Sequence, residues 1–512
     1  MKLLKRIIPF VYVLLILLIA YNIYLSAVPV INNEVNFFND VARDFLLLEE
    51  LDEKKIVLIG PRSSTQGLFH GPLLTYIDYP AWLIGGGNPV TVAWFWVCLG
   101  ITAVIGSFFA AKKLFGEKIG PIIGLTYALL LSTRMIPHIN SVFEPEAMFF
   151  VMPFFLFTII FYQRSKNWIY LFAHFVTVAV FVQLSSGIGI QFLFLSAAAS
   201  LFIVYKNKKW KHLTSILAVP LFTINFILFD AKNNFMMAKA IMSTGAGSTY
   251  FTTVSSWIQN RIENTYSLQI FEPGVGHADL QILIFLFVVI FSIIQIRESK
   301  EDRPFYLILI YYYFGYITLS YFNKGIFLFH YIYLLVPLTL LWLVSFLNTK
   351  YKYLFISIIA LVFLINFNYS NSYINGVKNS IGKKADSWVA LSRGPVEIAK
   401  RQNGREFGYF VFSPDSFAYQ QRYAAIYNFK ASGAKAYEYV KKPTTYVIAH
   451  PPPPDDKYMD YSWWVKVPVG ISAAPVYTKI FPAGHTIVEY NLNTEEQKVP
   501  HDKSIELGIH FR

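Results

Sequence analysis

Cysteine is nearly missing from this chain: Cys98 is the single thiol in 512 residues. That excludes a disulfide framework and a cysteine metal site. Charge is sparse as well. Asp, Glu, Lys and Arg together make up 15% of the residues, against about 25% in ordinary soluble domains. There is no Gly-rich phosphate cradle of the P-loop or dinucleotide-binding kind, no metal cluster with a spacing signature, and no internal repeat. Nucleotide-driven chemistry therefore has no foothold in the sequence.

Apolar sequence fills the space. The chain is 55% hydrophobic and 18% aromatic, with a mean hydropathy of +0.44, and the excess is blocky. Apolar runs cover 11–27, 90–111, 119–137, 145–162, 168–185, 187–205, 213–229, 279–296, 304–322, 326–347 and 352–367. Each approaches the ~20 residues needed to cross ~30 Å of hydrocarbon. The pattern predicts an α-helical polytopic membrane protein with about 11 transmembrane helices. The weakest pair is 168–205, interrupted by Gln183, Ser185, Ser186, Gly187 and Gly189.

Basic residues set an orientation. Lys2, Lys5 and Arg6 precede the first run, and every second loop thereafter is basic: Lys112 and Lys113, Arg164 and Lys166, Lys206 to Lys211, Arg297 to Arg303, Lys350 and Lys352. The positive-inside rule makes these loops cytoplasmic, with the C-terminus outside. Much of the net charge of +13 belongs to them, so it does not imply nucleic-acid binding. The first apolar run resembles a signal peptide in position, but Ser26-Ala27-Val28 is a weak cleavage site, and it reads as a retained span. Two domains are expected: 1–368 in the membrane, with a long outer loop at 28–89, and 369–512 as a small outer-face α/β domain. In that tail, strands are expected at 407–412, 444–449, 463–469, 476–481 and 486–490, and helices at 386–402 and 414–428. Pro451 to Pro454 read as stiff polyproline-like loop.

The outer loop carries the most informative residues. Asn39 to Leu51 has a helical stripe of Val41, Phe45 and Leu48 and reads as a surface helix. Asp40, Arg43 and Asp44 lie at its start, and charges held beside a bilayer usually mark a site. Leu73 to Ile84 reads as a re-entrant or interfacial helix ended by Gly85-Gly86-Gly87. The polar 230–278 loop is long enough to be a lid. Outside the cell, the activated sugar donor that remains plausible is a lipid phosphate delivered through the membrane. Sugar transfer from it needs a carboxylate to take the acceptor proton and cations to steady the departing phosphate. Asp40 can supply the first; Arg43, Lys324 and His330 can supply the second.

Asn39-Asp40-Val41-Ala42-Arg43-Asp44, then Leu58-Ile59-Gly60-Pro61-Arg62, His70-Gly71-Pro72-Leu73 and Gly86-Gly87-Asn88-Pro89, together resemble the first outer loop of GT-C superfamily glycosyltransferases. The likeness is to the family 39 branch of protein mannosyltransferase-like and aminoarabinose transferase-like proteins, and it covers roughly 1–370. It implies a GT-C fold, a polyprenyl-phosphate sugar donor, Asp40 as base, and Arg43 and Asp44 organising the loop and the donor phosphate. His70 falls within the same loop motif. Ser141 to Glu146 is similar to a short outer loop that completes the pocket, though many relatives have Asn-Pro where this chain has Glu144-Pro145. His330-Tyr331 through Pro337 is similar to the aromatic segment near the lipid phosphate. The acceptor, whether glycan, lipid or protein, is left open.

Blander roles exist for several of these residues. Arg43 and Asp44 form an ordinary surface pair on an amphipathic helix; Glu144 and Glu146 suit a helix N-terminus with Pro145 in the first turn. Arg134 and His138 fit residues that snorkel to headgroups. Tyr331 and Tyr333 fit an interfacial belt. Met459-Asp460-Tyr461-Ser462-Trp463-Trp464 has the wrong order for the oligosaccharyltransferase signature. A divalent cation held by Asp40, Asp44 and Glu144 has no spacing to support it, and the resemblance implies no required cofactor. A flippase for lipid-linked glycans, or a non-catalytic scaffold, are the rival classes. Flippases tend to show repeated halves and mid-membrane charge, and neither feature is visible here.

Overall fold

The computed structural model describes residues 2–63, 67–243, 254–266, 270–272, 275–322, 327, 330–415, 417–453 and 460–506. It divides into two compact units. One comprises Met1–Ser26, Ile56–Ile77 and Trp96–Tyr373; the other comprises Ala27–Lys55, Asp78–Phe95 and Ile374–Arg512.

The first unit is a helical bundle. The described residues of the apolar runs are mostly helical, and among the described residues seven helices are long and apolar enough to cross a membrane, or eight if the bent pair Trp210–Phe222 and Ile224–Lys232 is one span. The 47-residue helix Pro89–Met135 breaks at Gly116, whose φ of 80° is left-handed. It is thus two apolar helices joined by a kink, matching the two runs read there. Trp168–Leu184 and Ser186–Asn207 are separate helices, divided at Ser185, which adopts an extended conformation. The apolar cleft of about 360 Å³ in this unit is lined by residues such as Pro72, Leu73, Tyr76, Gln183 and Asn225.

Close backbone approach shapes this bundle near residue 70. Gly71 N donates to Gln183 O at 2.7 Å and Gly60 N to His70 O at 2.8 Å. A Cβ on Gly71 would collide with the Gln183 amide and stand 2.8 Å from its Cα, so only glycine fits there.

The second unit is built on a five-stranded sheet: β1 (Phe407–Phe412), β2 (Ala436–Glu438), β3 (Thr444–Ala449), β4 (Pro475–Ile480) and β5 (Thr486–Asn491), in the order β2-β1-β3-β5-β4. β1 pairs parallel with β2 and β3, while β5 runs antiparallel to β3 and β4. Every residue of β1 is buried, as expected of a central strand covered on both faces. Helices Trp388–Gln402 and Tyr419–Ser432 pack on this sheet.

One expected strand is corrected. Residues 463–469 form helical turns, Ser462–Trp464 followed by a wide turn over Val465–Val469, closed by Gly470 at φ 70°. Trp463, Val465, Val467 and Val469 have strand propensity, yet burial of Trp464, Val465 and Val469 against the sheet decides the outcome. The short strand Ala436–Glu438 went unread because three residues carry no periodicity.

Helix Asn39–Lys54 belongs to this second unit. Asp40 lies in its first turn and Lys54 in its last, the favourable charge order along a helix. Its buried stripe includes Val41, Phe45 and Leu48, as the sequence pattern required. Phe45 packs on Tyr423 with ring centroids 5.2 Å apart, and Phe37 stacks edge-on against Trp388 at 5.0 Å. The preceding segment is tied down by backbone bonds: Trp388 N to Val35 O at 3.0 Å and Phe37 N to Asp386 O at 2.7 Å.

Candidate active site

Asp40, Arg43 and Asp44 come together at the first turns of helix Asn39–Lys54. Positions three apart share a helix face, and Arg43 Nη1 reaches Asp40 Oδ1 at 2.9 Å. Its Nη2 and Nε converge on Asp44 Oδ1 at 3.0 and 3.1 Å. The guanidinium is held between two carboxylates and is itself largely covered, with 14% of its side chain exposed against 48% for Asp40. Asp40 is therefore the member offered outward, oriented by a charge-assisted bond. The preceding residue, Asn39, donates its side-chain amide to Asp415, anchoring the helix start to the segment after β1.

In the bundle unit, His70 is half-buried and its Nδ1 lies 3.4 Å from Ser186 N, where it can accept that N–H. Glu144 opens helix Glu144–Ser165 with Pro145 in the first turn, and is 2% exposed. Phe143 packs edge-on against the His330 ring at 5.6 Å, so the Glu144 turn and the His330 segment meet. Tyr331 is half-buried, and its carbonyl accepts from Tyr316 Oη at 2.7 Å. Lys324 lies outside the described residues.

Arg134 and His138 do not reach out from the bundle as snorkelling residues would. Arg134 is 1% exposed and stands 2.8 Å from Glu272 Oε1. His138 bridges Glu146 at 3.1 Å and Glu272 at 3.4 Å. Asn366 joins them, accepting from Arg134 Nη1 at 3.3 Å and from Glu272 N at 3.1 Å and donating to Ile270 O at 2.9 Å. Burial alone would depress the His138 pKa, but Glu272 and Glu146 outweigh it and hold the ring up at about 9. Burial likewise opposes the Glu272 charge, and Arg134 with His138 overcomes it, lowering that pKa. The quartet fastens the end of the 230–278 loop to the turn between two bundle helices.

Two residues escaped the sequence reading. Glu272 sits in a loop with no periodicity, and a partner more than a hundred residues away leaves no local signal. Arg261, on helix Val254–Tyr266, is fully buried, donates from Nε to Ser320 O at 3.1 Å, and lies 4.8 Å from the Phe327 ring. Phe327 in turn packs on Tyr331 at 5.9 Å. The polar make-up of that helix gave no hint that its arginine turns inward.

No protein-family model matches this chain, and no curated protein matches it in sequence. In three dimensions it is similar to the crystal structure of ArnT from Cupriavidus metallidurans bound to undecaprenyl phosphate. That match has a TM-score of 0.55 at 12% identity and covers 94% of this chain and 98% of the other. The chain thus has a GT-C fold of the ArnT-like kind, a multi-pass helical membrane domain with a small C-terminal sheet, as the resemblance in its first loop implied.

Proposed function

We propose that this protein is a glycosyltransferase that moves one sugar from a polyprenyl-phosphate donor to an acceptor hydroxyl on the outer side of the membrane, with inversion. The observation that carries the reading is the Asp40–Arg43–Asp44 cluster: a carboxylate 48% exposed, held by a covered guanidinium at 2.9 Å. The fold likeness, to a protein whose structure holds undecaprenyl phosphate, supports the donor class.

In the reaction, the acceptor oxygen attacks the anomeric carbon as the bond from that carbon to the phosphate oxygen breaks. Asp40 takes the acceptor proton, and the lipid phosphate leaves with the bonding pair. Arg43 positions Asp40 and, with Asp44, fixes the loop. His330, Tyr331, His70, Glu144 and Lys324 are assigned to the donor side, joined by Arg261, a buried cation packed beside the His330–Tyr331 segment. The cleft beginning at Pro72 and Leu73 is apolar, as a prenyl chain requires. No metal is assigned a role.

The test is transfer of radiolabel from a panel of polyprenyl-phosphate sugars in membranes carrying wild type or Asp40→Asn, with folding checked in both. General-base loss lowers the rate by about 10²–10⁴-fold. Equal transfer by both proteins would remove Asp40 from the mechanism. No transfer by folded wild type with any donor would overturn the reading in favour of transport or scaffolding.

A further inference from the structure

Within the sheet-containing unit, an open cavity of about 610 Å³ begins at Phe38 and Asn39, the two residues that precede Asp40. That is within the ~300–1,000 Å³ usual for ligand sites. Its polar lining comes from Asn39, Asp386, Ser413, Asp415, Gln420 and His450, with Pro451 to Pro453 along one side. Among the described residues that line it there is no lysine or arginine.

Apart from the Ser413 hydroxyl and the second N–H of Asn39, the side-chain polar atoms left over are acceptors. Gln420 is 3% exposed, and its amide nitrogen donates to Phe37 O at 3.0 Å and Asp386 Oδ1 at 2.7 Å. Both partners are obligate acceptors here, which fixes the amide orientation and leaves Gln420 Oε1 with no partner among the described residues. Asp386 Oδ2 is equally unengaged. Asp415 Oδ1 caps Phe417 N and Ala418 N at 3.1 and 3.2 Å and its Oδ2 accepts from the Asn39 amide, yet an ionised carboxylate has about four acceptor sites. His450 Nδ1 is 2.9 Å from Pro451 O, so in the neutral ring the proton sits on Nδ1 and Nε2 accepts. A surface of acceptors matches a ligand of many donors and repels an anion.

We infer that this cavity is the acceptor subsite of the transferase and that it takes the hydroxyl-rich, non-anionic end of a glycan rather than a phosphorylated group. The inference rests on the transferase reading, because it makes the sugar bound here the one whose hydroxyl Asp40 deprotonates. The prolines supply a rigid apolar wall for a pyranose face, and the carboxylates bind its hydroxyls by charge-assisted bonds.

The test measures binding without any donor. Full-length protein in nanodiscs, as wild type, Asp40→Asn, Asp386→Asn and Pro452→Trp, is titrated with maltotriose, cellotriose, chitotriose and glucose 6-phosphate. Pro452 is exposed, so its replacement blocks the cavity without disturbing the core, and gel filtration confirms folding. At least one neutral trisaccharide should bind wild type and Asp40→Asn alike. Loss of a hydrogen bond to a charged group should weaken it about 10- to 100-fold in Asp386→Asn, and Pro452→Trp should abolish it. Glucose 6-phosphate should bind none. The inference is overturned if no trisaccharide binds, if the phosphorylated sugar binds as well, or if both cavity variants bind like wild type. A failed transfer assay leaves these outcomes readable, so the two readings fall separately.

Discussion

Replacing Glu272 by Gln tests the buried charge quartet of the helical bundle. The amide keeps the shape but removes the charge that stands 2.8 Å from Arg134 and 3.4 Å from His138. Arg134 is then a buried guanidinium that has lost the carboxylate paired with it among the described residues, keeping neutral partners such as Asn366 at 3.3 Å. Breaking one side of a buried pair costs about 3–5 kcal/mol. At about 2 °C per kcal/mol, the lower end for large domains, the thermal midpoint should drop by roughly 6–10 °C. The pH profile sharpens the test. His138 is raised from 6.5 to about 9, so the stability it contributes is complete below about pH 6.5 and is lost as pH rises through 9. The limit of that contribution is roughly 3 kcal/mol, from 1.36 kcal/mol per pKa unit. Detergent-solubilised wild type should therefore lose thermal stability between pH 7 and 10. Glu272→Gln, with one carboxylate left on His138, should lose it at lower pH and over a smaller span. A midpoint at pH 7 equal to that of wild type, with the same pH profile, would refute the coupling.

Other expectations follow from single contacts. Gly71→Ala forces a Cβ into Gln183; overpacking of this kind costs about 1–3 kcal/mol, visible as a lower thermal midpoint and reduced yield of folded protein. Tyr423→Phe strips a hydroxyl that accepts from Trp82 Nε1 at 2.8 Å and donates to Gly87 O at 2.6 Å. Each buried group left unsatisfied costs about 1–3 kcal/mol, and a variant as stable as wild type would show the pair to be unimportant. Because no metal is assigned to the transfer step, activity should persist in EDTA; loss restored by a divalent cation would contradict that assignment.

By itself the sequence determined the class of this protein, because apolar runs near twenty residues long can be satisfied only as helices in a bilayer. It also determined the helix that carries Asp40, since the stripe of Val41, Phe45 and Leu48 and the i,i+3 spacing of Asp40 and Arg43 are local properties of one helix. Strands β1 and β3 were legible for the same reason: six-residue apolar runs bounded by polar turns. Tertiary structure decided the rest. Whether Trp463 to Val469 became strand or helix depended on what Trp464 and Val465 pack against. Arg134 and His138 could be told from headgroup anchors only once Glu272, far along the chain, supplied the countercharge, because a buried ion pair is a property of distance in space. The acceptor-lined cavity is the clearest case: Asn39, Asp386, Gln420 and His450 come from four separate segments, and no spacing along the chain encodes their convergence.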